Sequence, residues 1–259
     1  MNLKSKIQAH LEQKSPLETI NEFTKKKYRD IETVKIFAEL HNENVLDLIQ
    51  VYSELKNNKS MDFFRVRHLL EDTLPHLKII DLTNLLKTLE IVIVEAGDDM
   101  LSHSPLDSFE NLLDTDSKFA CSILKHLKSN EYKVSFATKA LVSIAKQDLS
   151  LCLEKAEELI TLGNDKLSVD AVLALGQLKY PLDDELIDKS IDIICLASNL
   201  SSDEKIISAT LHSLIQISQN KLSSYIKIGN LIKNIIHTTN HSPMVVHVCM
   251  VQLFHLFKK

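Results

Sequence analysis

The dominant pattern in the sequence is a row of apolar side chains at helical spacing that recurs four times between Tyr132 and Phe257. The first copy places five side chains on one face of a helix: Val134, Ala137, Ala140, Leu141 and Ile144. Offsets of about 34 to 39 residues reproduce this row, so that the position of Leu141 becomes Leu175, then Leu214, then Leu253. A period of this length is typical of helix pairs that bury their apolar faces by stacking on one another.

The repeats predict three helix pairs followed by a helix without a partner. The pairs cover residues 132–146 and 149–162, 165–179 and 183–198, and 203–219 and 222–237. The last helix opens at Ser242-Pro243. One position in the first helix of each copy mostly carries a small side chain: Ala137, Ala171, Thr210 and Cys249. A small side chain there would allow a neighbouring helix to approach closely.

The first half of the chain also predicts helices, although its spacing is less regular. Ser15-Pro16-Leu17-Glu18 combines a capping serine, a first-turn proline and a capping-box glutamate. Helices are expected over residues 30–40, 44–55 and 79–96, and Val45 is expected to face the core from the second of them. The whole pattern predicts an all-α chain of about 14 to 15 helices.

Helix pairs of this length, with apolar rows and small side chains in their first helices, resemble HEAT-like repeats. The resemblance covers residues 131–259 well and residues 1–130, with their irregular pairs, only loosely. It implies a right-handed superhelical α-solenoid of antiparallel helix pairs, with the extended curved surface that such proteins use to hold proteins, peptides or nucleic acid. Because no low-complexity linker interrupts the chain, we expect a single domain over residues 1–259.

The composition agrees with a helical protein of the cytoplasm. Only 4 of the 259 residues are glycine, fewer than sheet proteins and Rossmann-type enzymes need for their turns. The four cysteines lie far apart among apolar residues, which is typical of reduced thiols in cytosolic proteins. No stretch reaches the roughly 18 apolar residues of a membrane-spanning helix. The N-terminus lacks the continuous apolar segment of a signal peptide.

Charge is distributed unevenly, although the net charge is only −5. The stretch between Lys87 and Lys118 contains acidic residues but no Lys or Arg. After Glu204 the chain contains lysines but no acidic residue. The densest basic run and two late lysines could contact phosphate: Lys25, Lys26, Lys27, Arg29, Lys227 and Lys233. Nucleic-acid binding or processing is therefore the alternative function. The negative net charge and the absence of Trp favour a protein partner.

Two clusters could bind a metal, but neither has the spacing of a known site. The segment Glu95-Ala96-Gly97-Asp98-Asp99, followed by His103, lacks the alternating oxygen ligands and the closing glutamate of a calcium loop. A catalytic zinc helix has a glutamate between its two histidines, whereas no acidic residue lies between His237 and His241. We therefore expect no metal site and no cofactor.

A charged group on one helix of the first half could support catalysis. Arg67 and Glu71 are four residues apart, as are His68 and Asp72, and this spacing is typical of surface ion pairs. The sequence shows no nucleophile or substrate pocket for them. We therefore expect ordinary surface pairs, no catalytic residue, and a protein that is not an enzyme.

Two glycines, Gly176 and Gly229, fall inside predicted helices, where each costs roughly 1 kcal/mol relative to alanine. Close helix packing is the expected compensation at both positions, and a hinge is the alternative.

The final helix is apolar around most of its circumference, whereas the terminal helix of a solenoid should have a polar outer face. We expect a protein partner, a second copy of the chain, or a following repeat of a longer chain to cover it. The expected function is that of a non-catalytic interaction scaffold or adaptor in an oligomer or larger assembly. The residues expected to bind the partner are Val246, Met250, Leu253, Phe254 and Phe257.

Overall fold

Helices account for all regular secondary structure in the described part of the chain. The computed structural model describes residues 2–25, 30–53, 63–78, 80–96, 104–180, 184–220 and 225–238. Over these residues it has 14 α-helices, one 3-10 turn and no strand, which confirms the all-α class. The chain forms two compact units: unit 1 comprises residues 1–116 and 131–134, and unit 2 comprises residues 117–130 and 135–259. The expectation of a single domain stays a prediction.

Unit 1 carries the first seven α-helices and the 3-10 turn Leu74–His76 among its described residues. The helices are α1 (Leu3–Leu11), α2 (Pro16–Thr24), α3 (Ile31–Asn42), α4 (Leu48–Ser53), α5 (Phe63–Thr73), α6 (Leu82–Ala96) and α7 (Ser104–Leu113). The capping box predicted at the start of α2 is present. The Glu18 N–H donates to Ser15 Oγ at 3.3 Å, and the Ser15 N–H donates to Glu18 Oε2 at 3.0 Å.

The start predicted for α4 is wrong, because the chain first makes a tight turn after α3. Asn44 has φ +58°, a left-handed conformation that asparagine tolerates better than most residues. The Val45 N–H donates to the Leu40 carbonyl at 2.9 Å and the Asn44 N–H to the His41 carbonyl at 3.0 Å, which closes a Schellman motif. Val45 is therefore exposed instead of facing the core, and α4 begins only at Leu48.

Helices α3, α4 and α5 of unit 1 each contact the helix two positions later in the chain, in addition to a sequence neighbour. The helix α3 contacts α5, α5 contacts α7, and α4 contacts α6, where the Thr88 hydroxyl donates to the Ile49 carbonyl at 3.2 Å. Five large side chains from these helices are at most 1% exposed: Phe37, Tyr52, Leu70, Leu86 and Phe109. Unit 1 thus has a core shared by five consecutive helices, although its sequence repeats are irregular.

Unit 2 carries the remaining seven described α-helices, close to the predicted pairs. They are α8 (Ser117–Leu127), α9 (Phe136–Gln147), α10 (Leu149–Thr161), α11 (Asp165–Gln177), α12 (Asp184–Leu200), α13 (Glu204–Asn220) and α14 (Tyr225–Thr238). The helix α9 begins four residues later than predicted because residues 131–134 belong to unit 1, where the Lys133 N–H donates to the Glu90 carboxylate. Gly163, with φ +77°, separates α10 from α11.

The helices of unit 2 form two layers. The first layer contains α9, α11 and α13, with α9 against α11 and α11 against α13; in the second layer α10 packs against α12. Consecutive helices also contact each other between the layers, and α14 packs on α13. The apolar row predicted from the sequence faces this interior, since its members in α9 and α11 are 0% exposed: Ala137, Ala140, Leu141, Ile144 and Leu175.

Gly176 lets α11 and α13 come into close contact, as the sequence predicts. A Cβ atom at Gly176 would lie only 2.7 Å from Ser213 Cα and 2.6 Å from Ser213 Oγ. The Ser213 hydroxyl is fully buried and donates to the Val172 carbonyl at 2.8 Å, so it is satisfied within this contact. At Gly229 the described residues provide no such contact, because none of their atoms lies within 4 Å of a Cβ placed there.

Tyr180 forms hydrogen bonds with both α11 and α12. Its hydroxyl donates to the Leu175 carbonyl at 2.7 Å, which leaves its oxygen to accept a hydrogen bond from the buried Ser190 hydroxyl of α12. Burial raises the pKa of Tyr180 well above its ordinary value, so the phenol keeps its proton and both bonds persist at neutral pH.

We expect Gly176→Ala to lower the free energy of unfolding by about 1 to 3 kcal/mol, because the added methyl group overlaps the Ser213 backbone. Gly229→Ala is the matched control and should raise it by up to about 1 kcal/mol, because alanine favours the helix and meets no neighbour. Urea unfolding followed by circular dichroism measures both effects. Equal responses of the two variants would contradict the close contact between α11 and α13.

Candidate interaction surfaces

The densest group of charged side chains in unit 1 is buried in α5. Arg67 and Glu71 both have 0% of their side chains exposed, and Arg67 Nε lies 2.9 Å from Glu71 Oε1. Glu71 Oε2 lies 2.9 Å from His68 Nδ1, so the histidine pairs with Glu71. The prediction of surface ion pairs is wrong, because α3 and α7 both pack on α5.

Tyr52 of α4 is fully buried near the same carboxylate. Burial, and then the negative charge of Glu71, raise the pKa of Tyr52 well above its ordinary value. The phenol is therefore neutral, and the charges buried beside it are those of the group on α5. Burying an ion pair requires close contact between its members, since each charge loses its hydration.

A cleft of about 490 Å³ lies beside this group, between α3, α5 and α7. Ile31 forms an apolar part of its rim and is 71% exposed, whereas Lys35, Glu71, Asp72 and His76 contribute charged or titratable groups. The volume suits a small molecule. The mixture of cations and carboxylates selects no class of ligand.

Each helix of the first layer in unit 2 exposes one narrow stripe, and together we call the three stripes the basic face. Its members are Lys139, Val142 and Lys146 of α9; Lys166, Val169, Leu173 and Gln177 of α11; and Lys205, Ser208, His212 and Gln216 of α13. Spacings of three and four residues keep each stripe on one side of its helix. Among the described exposed residues of these helices, only Asp165 and Glu204, at the first positions of α11 and α13, are acidic.

The second layer of unit 2 carries the opposite charge. Its exposed carboxylates are Glu154, Glu157 and Glu158 of α10 and Glu185, Asp188 and Asp192 of α12. Lysines occur among them, and Lys155 Nζ lies 3.0 Å from Glu154 and 3.2 Å from Glu158. The two layers of unit 2 therefore present surfaces of opposite sign.

Asp170 is a buried carboxylate at the edge of the basic face. Its side chain is 3% exposed, and Lys166 Nζ lies 3.4 Å from its Oδ2. Burial raises the pKa of Asp170, although Lys166 and a hydrogen bond with the Ser135 side chain partly oppose the shift. Ser135 immediately precedes α9, so Asp170 joins α11 to the beginning of its neighbour.

Two of the predicted basic contacts, Lys25 and Lys227, have acidic neighbours in the structure. Lys25 Nζ lies 3.0 Å from Glu22 Oε2. Lys227 Nζ lies 2.9 Å from Asp188 Oδ1 and 3.4 Å from Asp192 Oδ1. Burial acts to lower the pKa of Lys227, but the hydrogen bonds and charges of these two carboxylates raise it overall.

Lys233 is exposed on α14, the helix that also carries Lys227. The other predicted contacts lie outside the described residues: Lys26, Lys27, Arg29, Val246, Met250, Leu253, Phe254 and Phe257. Asp98, Asp99, His103 and His241 lie outside them as well. These assignments stay predictions.

The three described cysteines, Cys121, Cys152 and Cys195, form no disulfide bond. Cys152 is fully buried, and burial followed by the charge of Asp148 raises its pKa to about 12. In the same way, burial and Asp192 raise the pKa of Cys195 to about 11. Both thiols are protonated at neutral pH and therefore act as apolar packing groups.

Two kinds of feature are absent from the described ranges. None of the helices there combines the length and apolar character needed to cross a membrane. Within the same residues, no three His, Cys, Asp or Glu side chains come together as metal ligands would.

No protein-family model and no curated protein matches the sequence. Among solved structures, the chain is similar to the crystal structure of an engineered protein from a structural genomics consortium. The two sequences are 15% identical, and the match covers 96% of this chain and 70% of the engineered one with a TM-score of 0.39. At that score the likeness carries no information about function.

We expect Glu71→Gln to lower the free energy of unfolding by about 3 to 5 kcal/mol, because it removes the carboxylate charge that is paired with the buried guanidinium of Arg67. Glu12→Gln, at an exposed position after α1, is the matched control and should change it by less than about 1 kcal/mol. Chemical denaturation of both variants compares the two losses. If Glu71→Gln cost no more than the control, the buried ion pair would be excluded as a structural element.

We expect the difference in stability between Asp170→Asn and the native protein to depend on pH. A raised folded-state pKa means that the folded chain holds the Asp170 proton more tightly, so native stability falls as pH rises from the unfolded pKa through the folded one. Asparagine does not titrate, so the variant should gain stability relative to the native protein as the pH rises above about 4, the ordinary pKa of an aspartate. Thermal unfolding at several pH values measures this gain. A relative loss toward neutral pH would show that the carboxylate is stabilising.

Proposed function

We propose that the protein is a non-catalytic scaffold that binds other proteins through the surface of a HEAT-like α-solenoid. The observation that carries this proposal is the sequence in which helices contact one another. In unit 1 α3 packs on α5 and α5 on α7, and in unit 2 α9 packs on α11 and α11 on α13. The intervening helices α4 and α6, and α10 and α12, also contact each other. Stacked helix pairs of a solenoid have this order of contacts.

This order of packing favours an interaction surface for a physical reason. A helix in a stacked layer is covered on both flanks by its layer neighbours and on a third side by the other layer. Only one stripe per helix then reaches solvent, as in α9, α11 and α13. Such stripes add up to a surface that lengthens with each repeat and can hold an extended partner. The right-handed superhelix is part of the proposal.

A protein partner is favoured over nucleic acid by the surroundings of two predicted phosphate contacts, Lys25 and Lys227. Lys25 is paired with Glu22, and Lys227 is paired with Asp188 and Asp192. A carboxylate beside a lysine weakens its attraction for phosphate. The apolar segment with Leu253 and Phe254 supports a protein partner or a second copy of the chain.

We expect the native chain to capture a protein partner or to self-associate, and Phe254→Asp to abolish this, because a charge in an apolar contact is costly to bury. Gln252→Asp is the matched control, since it adds the same charge at a polar position of the same segment. Affinity capture with mass spectrometry and light scattering of the purified chain measure the two outcomes. A chain that stays monomeric and recovers no partner would contradict the scaffold function.

A further inference from the structure

We draw no further inference here: the strongest candidate, the cleft of about 490 Å³ between α3, α5 and α7, is lined by Lys35 and His76 as well as by the carboxylates of Glu71 and Asp72, and nothing in the structure shows which class of ligand would fill it.

Discussion

The close approach of α11 to α13 is the constraint on which the arrangement of unit 2 depends. Gly176 stands opposite Ser213, where a Cβ would come within 2.7 Å of the Ser213 backbone, so the two helices meet at a distance that no larger side chain permits. The bond from Ser213 to the Val172 carbonyl then fixes the level of the contact. Because this level also sets which exposed side chains become neighbours, one small residue determines how the stripes of α11 and α13 align.

The sequence predicts those features that follow from local patterns. The capping box at Ser15, the recurring row around Leu141 and the close packing at Gly176 depend on neighbours along the helix or on a strict repeat, and the structure contains all three. Whether a charged pair is buried does not depend on local spacing alone. Arg67 and Glu71 have the same separation on a covered helix as on an exposed one, so their burial followed only from the packing of α3 and α7 on α5.

The start of α4 and the surroundings of Gly229 escaped prediction for related reasons. At Asn44 the chain makes a left-handed turn, whereas the spacing of apolar residues allows a helix to begin there. Apolar spacing alone does not distinguish the turn from the helix. At Gly229 the sequence gives only the absence of a side chain, which is equally compatible with a tight contact and with open space. The basic face was missed because its members are scattered over three helices, although the offset of about 39 residues aligns those of α11 and α13. Within unit 2, the stacking of α9, α11 and α13 places their exposed stripes side by side and so brings the lysines of three helices onto one surface.

The contact between α11 and α13 underlies this account, and a solution measurement addresses it most directly. In a nuclear Overhauser spectrum of the isotopically labelled chain, the account predicts cross-peaks between the Gly176 α-protons and the α- and β-protons of Ser213, since the backbones meet there. A folded, helical protein in which Gly176 shows no cross-peak to Ser213 would contradict the stacking of the first layer, and with it the surface that the stacking creates.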